Sequence, residues 1–275
     1  MRYGVPYRGS KNKIAQWVIS NLPAGDTLID LFAGGCAVTH AALLSGKWNH
    51  IVANDIGDAP QLFMDAVHGK YANEKRWISR EDFHRLKDSD PYVSLCWSFG
   101  NNRTDYLYSK EIEPWKKALH YARVFGDTSL LREFCVDEKN CRLESLCRLQ
   151  NLNNLQRLQS IQNLNDCGKI TLFQKDYRNV EIKEGSIVYA DPPYKKTRCT
   201  GYKWKFDYDA FEHWLSDVPF MVVISGYERP VECMEVAQIR KQPTIGTNNL
   251  YGSSVERLFV QERFAERYKQ MMGRF

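Results

Sequence analysis

Apolar and polar positions divide the chain into three textures. From the start to about residue 56 the pattern reads helix, strand, glycine turn, helix, strand. Ile14 to Leu22 carries apolar residues at helical spacing and stops at Pro23. Thr27 to Phe32 is a short apolar run broken by Ala33-Gly34-Gly35, Val38 to Leu44 is helical again, and His50 to Asp55 is a second strand ending in an acid. A strand, a glycine-bearing turn, a helix and a second strand are how a parallel nucleotide-binding sheet begins. From Gly57 to Asn165 strand alternation disappears, and charge and aromatics take its place, among them Trp77, Trp97, Phe99, Tyr106, Tyr108 and Trp115. Strands return from Ile170, with buried-strand candidates at Ser186–Ala190, Phe220–Ile224 and Leu258–Val260.

This pattern predicts an α/β sheet domain made of residues 1–56 and 166–275, interrupted by a mostly helical lobe over 57–165. Inside the lobe, residues 142–165 hold an oddity. Leu143, Leu146, Leu149, Leu152, Leu155, Leu158, Ile161 and Leu164 recur every third position. An α-helix turns roughly 300° in three residues, so such a stripe spirals around it instead of holding one face. A 3₁₀-helix has the right period but seldom runs beyond a few residues. A helix wrapped against a neighbour, a segment without fixed structure and a specific repeat all stay open.

Composition narrows the class. With 43% hydrophobic and 26% charged residues the 275-residue chain reads as globular. It has no apolar run of transmembrane length and no apolar leader after Met1, so a cytoplasmic protein with no membrane partner is expected. A net charge of +5 permits a polyanionic partner without requiring one. The eight cysteines form no CxxC pair, and the histidines complete no zinc pattern. Free thiols and no metal are the expectation.

The most specific chemistry is Asp191-Pro192-Pro193-Tyr194, directly after a strand. Two prolines stiffen the loop and remove its donors, which leaves a fixed carbonyl acceptor beside the Asp191 carboxylate. With the flat face of Tyr194, this suits a planar base carrying an exocyclic NH₂; a plain strand-end turn is the bland alternative. Asp30 through Gly35 is a glycine turn between strand and helix, where a ligand can approach the backbone. It lacks both the full dinucleotide glycine set and the P-loop lysine, so dinucleotide and triphosphate binding are disfavoured. Asp55 ends the next strand, where ribose hydroxyls would be met. Tyr7 and Lys11 near the start, and Asp176-Tyr177 after Ile170–Phe173, are ambiguous by themselves.

In order and spacing these pieces resemble the alpha-group adenine DNA methyltransferases, the family of Dam-type enzymes. The resemblance covers about residues 5–56 and 170–262, and places the lobe where that family inserts its target-recognition domain. It implies a Rossmann-like fold using S-adenosylmethionine and releasing S-adenosylhomocysteine. Lys11 would hold the cofactor carboxylate near Tyr7, and Asp30, Phe32, Gly34 and Gly35 would form its turn. Asp55 would take the ribose, and Asp176 with Tyr177 the cofactor adenine. Asp191 and the Pro192 carbonyl would bind the target amine, with Pro193 stiffening the loop and Tyr194 stacking on an adenine flipped out of double-stranded DNA.

The lobe departs from the pattern associated with GATC readers. It carries Asn101, Asn102 and Arg103, side chains suited to adenine and guanine edges and equally to turns, with Lys116 and Lys117 as candidate DNA contacts. A solitary enzyme of phage or prophage type, with no attached endonuclease and monomeric or weakly dimeric, is expected, and genome marking, protection against restriction-modification and regulation all stay open as its purpose. Rival readings keep the fold and change the substrate to RNA adenine, the cytosine amine or a protein glutamine, or drop catalysis for silent DNA binding. Asp191 stands where the cytosine-amine enzymes usually carry Ser or Thr and the glutamine enzymes Asn, which argues against both.

Overall fold

In the computed structural model, residues 2–134, 148–162, 164–194, 206–240 and 255–273 are described. They divide into two compact units. The first comprises residues 1–4, 11–60 and 166–275, and the second residues 5–10 and 61–165. The short stretch carrying Tyr7 therefore groups with the lobe and not with the sheet.

The strands of the first unit are β1 (Thr27–Asp30), β2 (His50–Asn54), β3 (Ile170–Phe173), β4 (Ile187–Ala190), β5 (Val222–Gly226), β6 (Cys233–Arg240) and β7 (Val255–Gln261). They form one sheet in the order β3-β2-β1-β4-β5-β7-β6. The first five are parallel, and β7 enters antiparallel between β5 and β6. Every residue of β4 and of β5 is buried, as parallel strands covered on both faces require. Edge strand β6 alternates instead, and a register shift falls between Glu235 and Ala237. Its mixed sequence, CMEVAQIR, gave no strand signal. Pairing with β7 makes it a strand.

The helices in chain order are α1 (Ala15–Ser20), α2 (Ala37–Ser45), α3 (Ala59–Val67), α4 (Arg80–Leu86), α5 (Pro91–Cys96), α6 (Glu113–Phe125), α7 (Gln150–Gln159), α8 (Tyr208–Asp217) and α9 (Ala265–Met271). Local chemistry explains several starts. The Ser79 hydroxyl accepts from Asp82 N at the head of α4, and Asp90 caps α5 ahead of Pro91. Asp207 does the same for α8. Helix α2 has no such residue at its own start, since Cys36 there is left-handed and makes no side-chain cap. Its amides are served from the preceding strand, where Asp30 accepts from Thr39 N (3.2 Å) and Thr39 Oγ1 (2.7 Å). Gly4 is packed so tightly on this turn that a Cβ would lie 2.1 Å from the Gly35 carbonyl oxygen. None of the helices among the described residues is long and apolar enough to cross a membrane.

The leucine segment resolves in part. Leu143 and Leu146 lie outside the described residues, but α7 is an ordinary α-helix. Its buried positions are Asn151, Asn154, Leu155 and Leu158, spaced as a helix face requires. The period-three stripe drifts off that face, leaving Leu152 half-buried, and asparagines fill the inward positions it vacates. Both are satisfied. Asn151 accepts from the Tyr108 hydroxyl (2.7 Å) and meets His120 Nδ1 (2.9 Å), while Asn154 donates to the Cys96 carbonyl (2.8 Å). Replacing Asn151 by Leu is therefore expected to destabilise the protein by about 1–3 kcal/mol, although it adds a leucine to a leucine-rich helix, because two buried partners lose their bonds. Urea unfolding of Asn151→Leu checks this.

Candidate active site

The order β3-β2-β1-β4-β5 reverses direction between β1 and β4. Crevices at such reversals, outside the carboxyl ends of the strands, are where open parallel sheets bind ligands. Three acids stand there. Asp30 ends β1, Asp55 follows β2 and Asp191 follows β4, and both Asp191 and Asp55 act electrostatically on Asp30.

Asp191 sits in a buried charge cluster. Lys11 Nζ lies 2.7 Å from each of its carboxylate oxygens and donates to the Tyr194 hydroxyl at 2.6 Å. Glu256 Oε1 is 3.5 Å from the same ammonium and 2.5 Å from the Tyr194 hydroxyl, which also lies 3.0 Å from Asp191 Oδ1. The Lys11 and Glu256 side chains are 4% and 0% exposed, against 17% for Asp191, so the carboxylate of the loop is the part of the cluster open to a ligand. Burial pulls the Lys11 ammonium down, but Asp191 and Glu256 outweigh it and raise its pKa. Asp191 is raised by burial and by Glu256, against the opposing pull of Lys11. Tyr194 is raised strongly by burial and by both carboxylates, so it stays a phenol. One face of its ring meets Tyr227 at 4.6 Å between centroids.

The neighbouring turn is held by Asp55, whose oxygens accept from Gly34 N and Gly57 N, each at 2.8 Å. Gly34 has φ +47°, a conformation glycine takes without strain. Beside it, Phe32 packs among Tyr177, Phe206 and Phe211 at 5.3–5.8 Å. Asp176 is engaged by the Arg178 guanidinium, which donates to both oxygens at 2.8 Å and holds the carboxyl below its usual range.

The structure thus brings Lys11, Asp191 and Tyr194 together, with Asp30, Phe32, Gly34, Asp55 and Tyr177 in the same unit. Some sequence expectations change. The Lys11 ammonium, expected on a cofactor carboxylate, is directed at Asp191, Tyr194 and Glu256. Asp30 is buried and serves α2, and Tyr7 belongs to the other unit. In that unit Lys116, expected to contact DNA, is buried at 3% exposure and donates to the Arg148 carbonyl, whereas Lys117 is exposed. Asn102 accepts from Thr104 N and Asp105 N, and Asn101 donates to the Leu95 carbonyl, so both shape their turn. Arg103 is half-buried in a left-handed conformation, and its N–H bonds Ser98 Oγ. Glu256 was missed. It shares a strand face with Leu258 and Val260, each fully buried, and a carboxylate at such a position must find a partner.

Comparison with known families resolves what this arrangement belongs to. The family model described as D12 class N6 adenine-specific DNA methyltransferase matches residues 7–264. The chain belongs to this family. It is therefore an enzyme of adenine-specific DNA methylation, and a methyltransferase of this kind draws its methyl group from S-adenosylmethionine. Among solved structures it is similar to the rRNA methyltransferase aviRa from Streptomyces viridochromogenes, at 14% identity over 92% of this chain and 84% of that one, with a TM-score of 0.35. Curated protein sequences gave no match.

Burial raises the Asp30 carboxyl to about 7, against two bonds from Thr39 that lower it. The folded chain then keeps a proton that the unfolded chain, with its value near 3.8, has released. Stability is expected to fall as pH rises from about 4 through 7, by on the order of a few kcal/mol. Asp30→Asn keeps an acceptor for Thr39 and should flatten that slope, as read by urea unfolding across the window.

Proposed function

We propose that the methyltransferase acts on an adenine flipped out of double-stranded DNA, with Asp191 and the Pro192 carbonyl receiving the two hydrogens of its N6 amine. The observation that supports this most is the Asp191 carboxylate, fixed at the end of β4 by Lys11 and Tyr194 while remaining partly open. An amine bonded to two fixed acceptors turns its lone pair away from the ring, toward an incoming methyl group. Catalysis here is placement and electrostatics, because the protein needs no nucleophile of its own. Pro193 stiffens the loop, and the Tyr194 ring offers the base a face. Extrusion from the duplex costs a few kcal/mol, which stacking and contacts to phosphate would offset.

The cofactor fits the donor set of the first unit. Asp55 presents acceptors for ribose hydroxyls while tying down Gly34, and Phe32 with Tyr177 supplies an apolar wall for a purine. Gly34 and Gly35 leave room along the backbone, and Asp176 would serve the adenine amine once Arg178 yields. Bound there, S-adenosylmethionine would supply a sulfonium-activated methyl group. Lys117 and Arg103 are proposed to meet DNA; Lys116 is withdrawn from that role. We propose a protein that acts without an obligate partner.

Mass spectrometry of nucleosides from a methylation-deficient bacterial host tests the reading. N6-methyladenine should accumulate in DNA with the wild type and vanish with Asp191→Ala. Asp55→Ala should weaken S-adenosylmethionine binding at least about tenfold in calorimetry, the loss expected for about 1.4 kcal/mol or more. A wild type that binds the cofactor yet leaves DNA unmodified, or marks RNA instead, would contradict the proposal.

A further inference from the structure

We infer that Glu256 is a positioning residue for methyl transfer, holding Lys11 and Tyr194 in place so that Asp191 can release part of its bonding to the target amine. This rests on the reading of Asp191 as the amine acceptor. Lys11 has three N–H protons, and the structure directs them at Asp191, at Tyr194 and, more distantly, toward Glu256. Tyr194 has one proton. Because its oxygen accepts from Lys11, that proton serves either Asp191 at 3.0 Å or Glu256 at 2.5 Å. The shorter contact is to Glu256.

An arriving amine needs lone pairs on Asp191 that Lys11 and Tyr194 compete for. Without a second carboxylate, both groups would have to stay on Asp191 or lose a buried partner. Glu256 gives each an alternative acceptor within the same cluster, so Asp191 is freed without any charge becoming isolated. Its negative charge also keeps Asp191 more basic, which suits the group nearest the proton that the nitrogen must shed. As the N–C bond forms and the C–S bond breaks, sulfur keeps the electron pair. One amine proton then passes to Asp191 or to solvent.

Among the described residues, the groups facing Asp191 are Lys11, Glu256 from β7, Tyr194 on its own loop, Asp30 from β1 and Tyr189 from β4, while Tyr227 after β5 acts on Lys11. Of the carboxylates among them, Glu256 alone touches the Lys11–Tyr194 pair. Asp30 is spent on Thr39.

The test compares wild type, Glu256→Gln and Glu256→Asp, each checked by thermal melting, in steady-state methylation of duplex DNA across pH 5–9 alongside calorimetry of S-adenosylmethionine binding. Glutamine keeps an acceptor for Tyr194 and removes the charge. It should lower kcat about tenfold or more, in line with loss of one preorganised electrostatic contact. Cofactor affinity should stay within about twofold, and the acid limb of the kcat profile should move to lower pH because Asp191 loses a neighbour that raises it. Aspartate keeps the charge and should restore the position of the acid limb while recovering kcat only in part. An unmoved acid limb in Glu256→Gln, or a kcat loss matched by equal loss of cofactor binding, overturns the inference. If Glu256→Gln does not fold, Glu256→Asp decides: wild-type kcat, or a displaced acid limb, overturns it. Failure of the underlying reading shows separately, as an absence of N6-methyladenine with the wild type itself.

Discussion

One ammonium between two carboxylates governs the sheet unit. Lys11, Asp191 and Glu256 come from positions far apart in the chain, and all three are largely removed from water. Taking each charge out of water costs several kcal/mol, and only close pairing with further hydrogen bonds offsets it. Removing Lys11 leaves two buried carboxylates without their cation, and removing either carboxylate leaves the ammonium only the other, so the cluster fixes where the N-terminal segment, the loop after β4 and strand β7 must meet. A hydrophobic trio would hold them as well or better in energy. It would not leave a carboxylate at the mouth of the crevice.

The sheet order turns that carboxylate into a site. Reversal between β1 and β4 opens the edge at which Asp30, Asp55 and Asp191 converge. Each acid is put to different use by its surroundings. Asp30 is sealed and anchors α2, Asp55 ties the Gly34 turn, and Asp191 faces outward from its ion pair. The acceptor oxygens that Asp55 and Asp191 hold at one edge favour amines and hydroxyls as ligands. That bias agrees with a family that acts on the N6 amine of adenine.

Much of this was legible in the sequence because strands buried on both faces announce themselves as continuous apolar runs. β1, β2, β4 and β5 were found within two residues of their bounds, and the Asp191–Tyr194 loop was placed directly after its strand. Family resemblance supplied the adenine-methylating activity, and the family model bears that activity out. What stayed hidden depends on partners distant in sequence. β6 is a strand only through β7, and Glu256 reads as an exposed acid until the alternation with Leu258 and Val260 is noticed. Lys116 sits in a charged, aromatic stretch that suggests a surface, yet the ring of Tyr108 and the Arg148 carbonyl draw it inside. The leucine repeat allowed a packed helix, which its described part forms, but did not show that two inward positions are asparagine.

If Lys11 and Asp191 act as one buried unit, a double-mutant cycle on folding stability will show it. Lys11→Met, Asp191→Asn and the double variant would be unfolded in urea at pH 7. Lys11→Met should be strongly destabilising, by about 3–5 kcal/mol, because it strands two buried carboxylates, and Asp191→Asn should cost less because Lys11 keeps Glu256. The double variant should cost far less than their sum, with a coupling of at least about 1 kcal/mol. Additive losses would contradict the account, since the two side chains would then be stabilised independently and the cluster would not be the constraint on which the site is built.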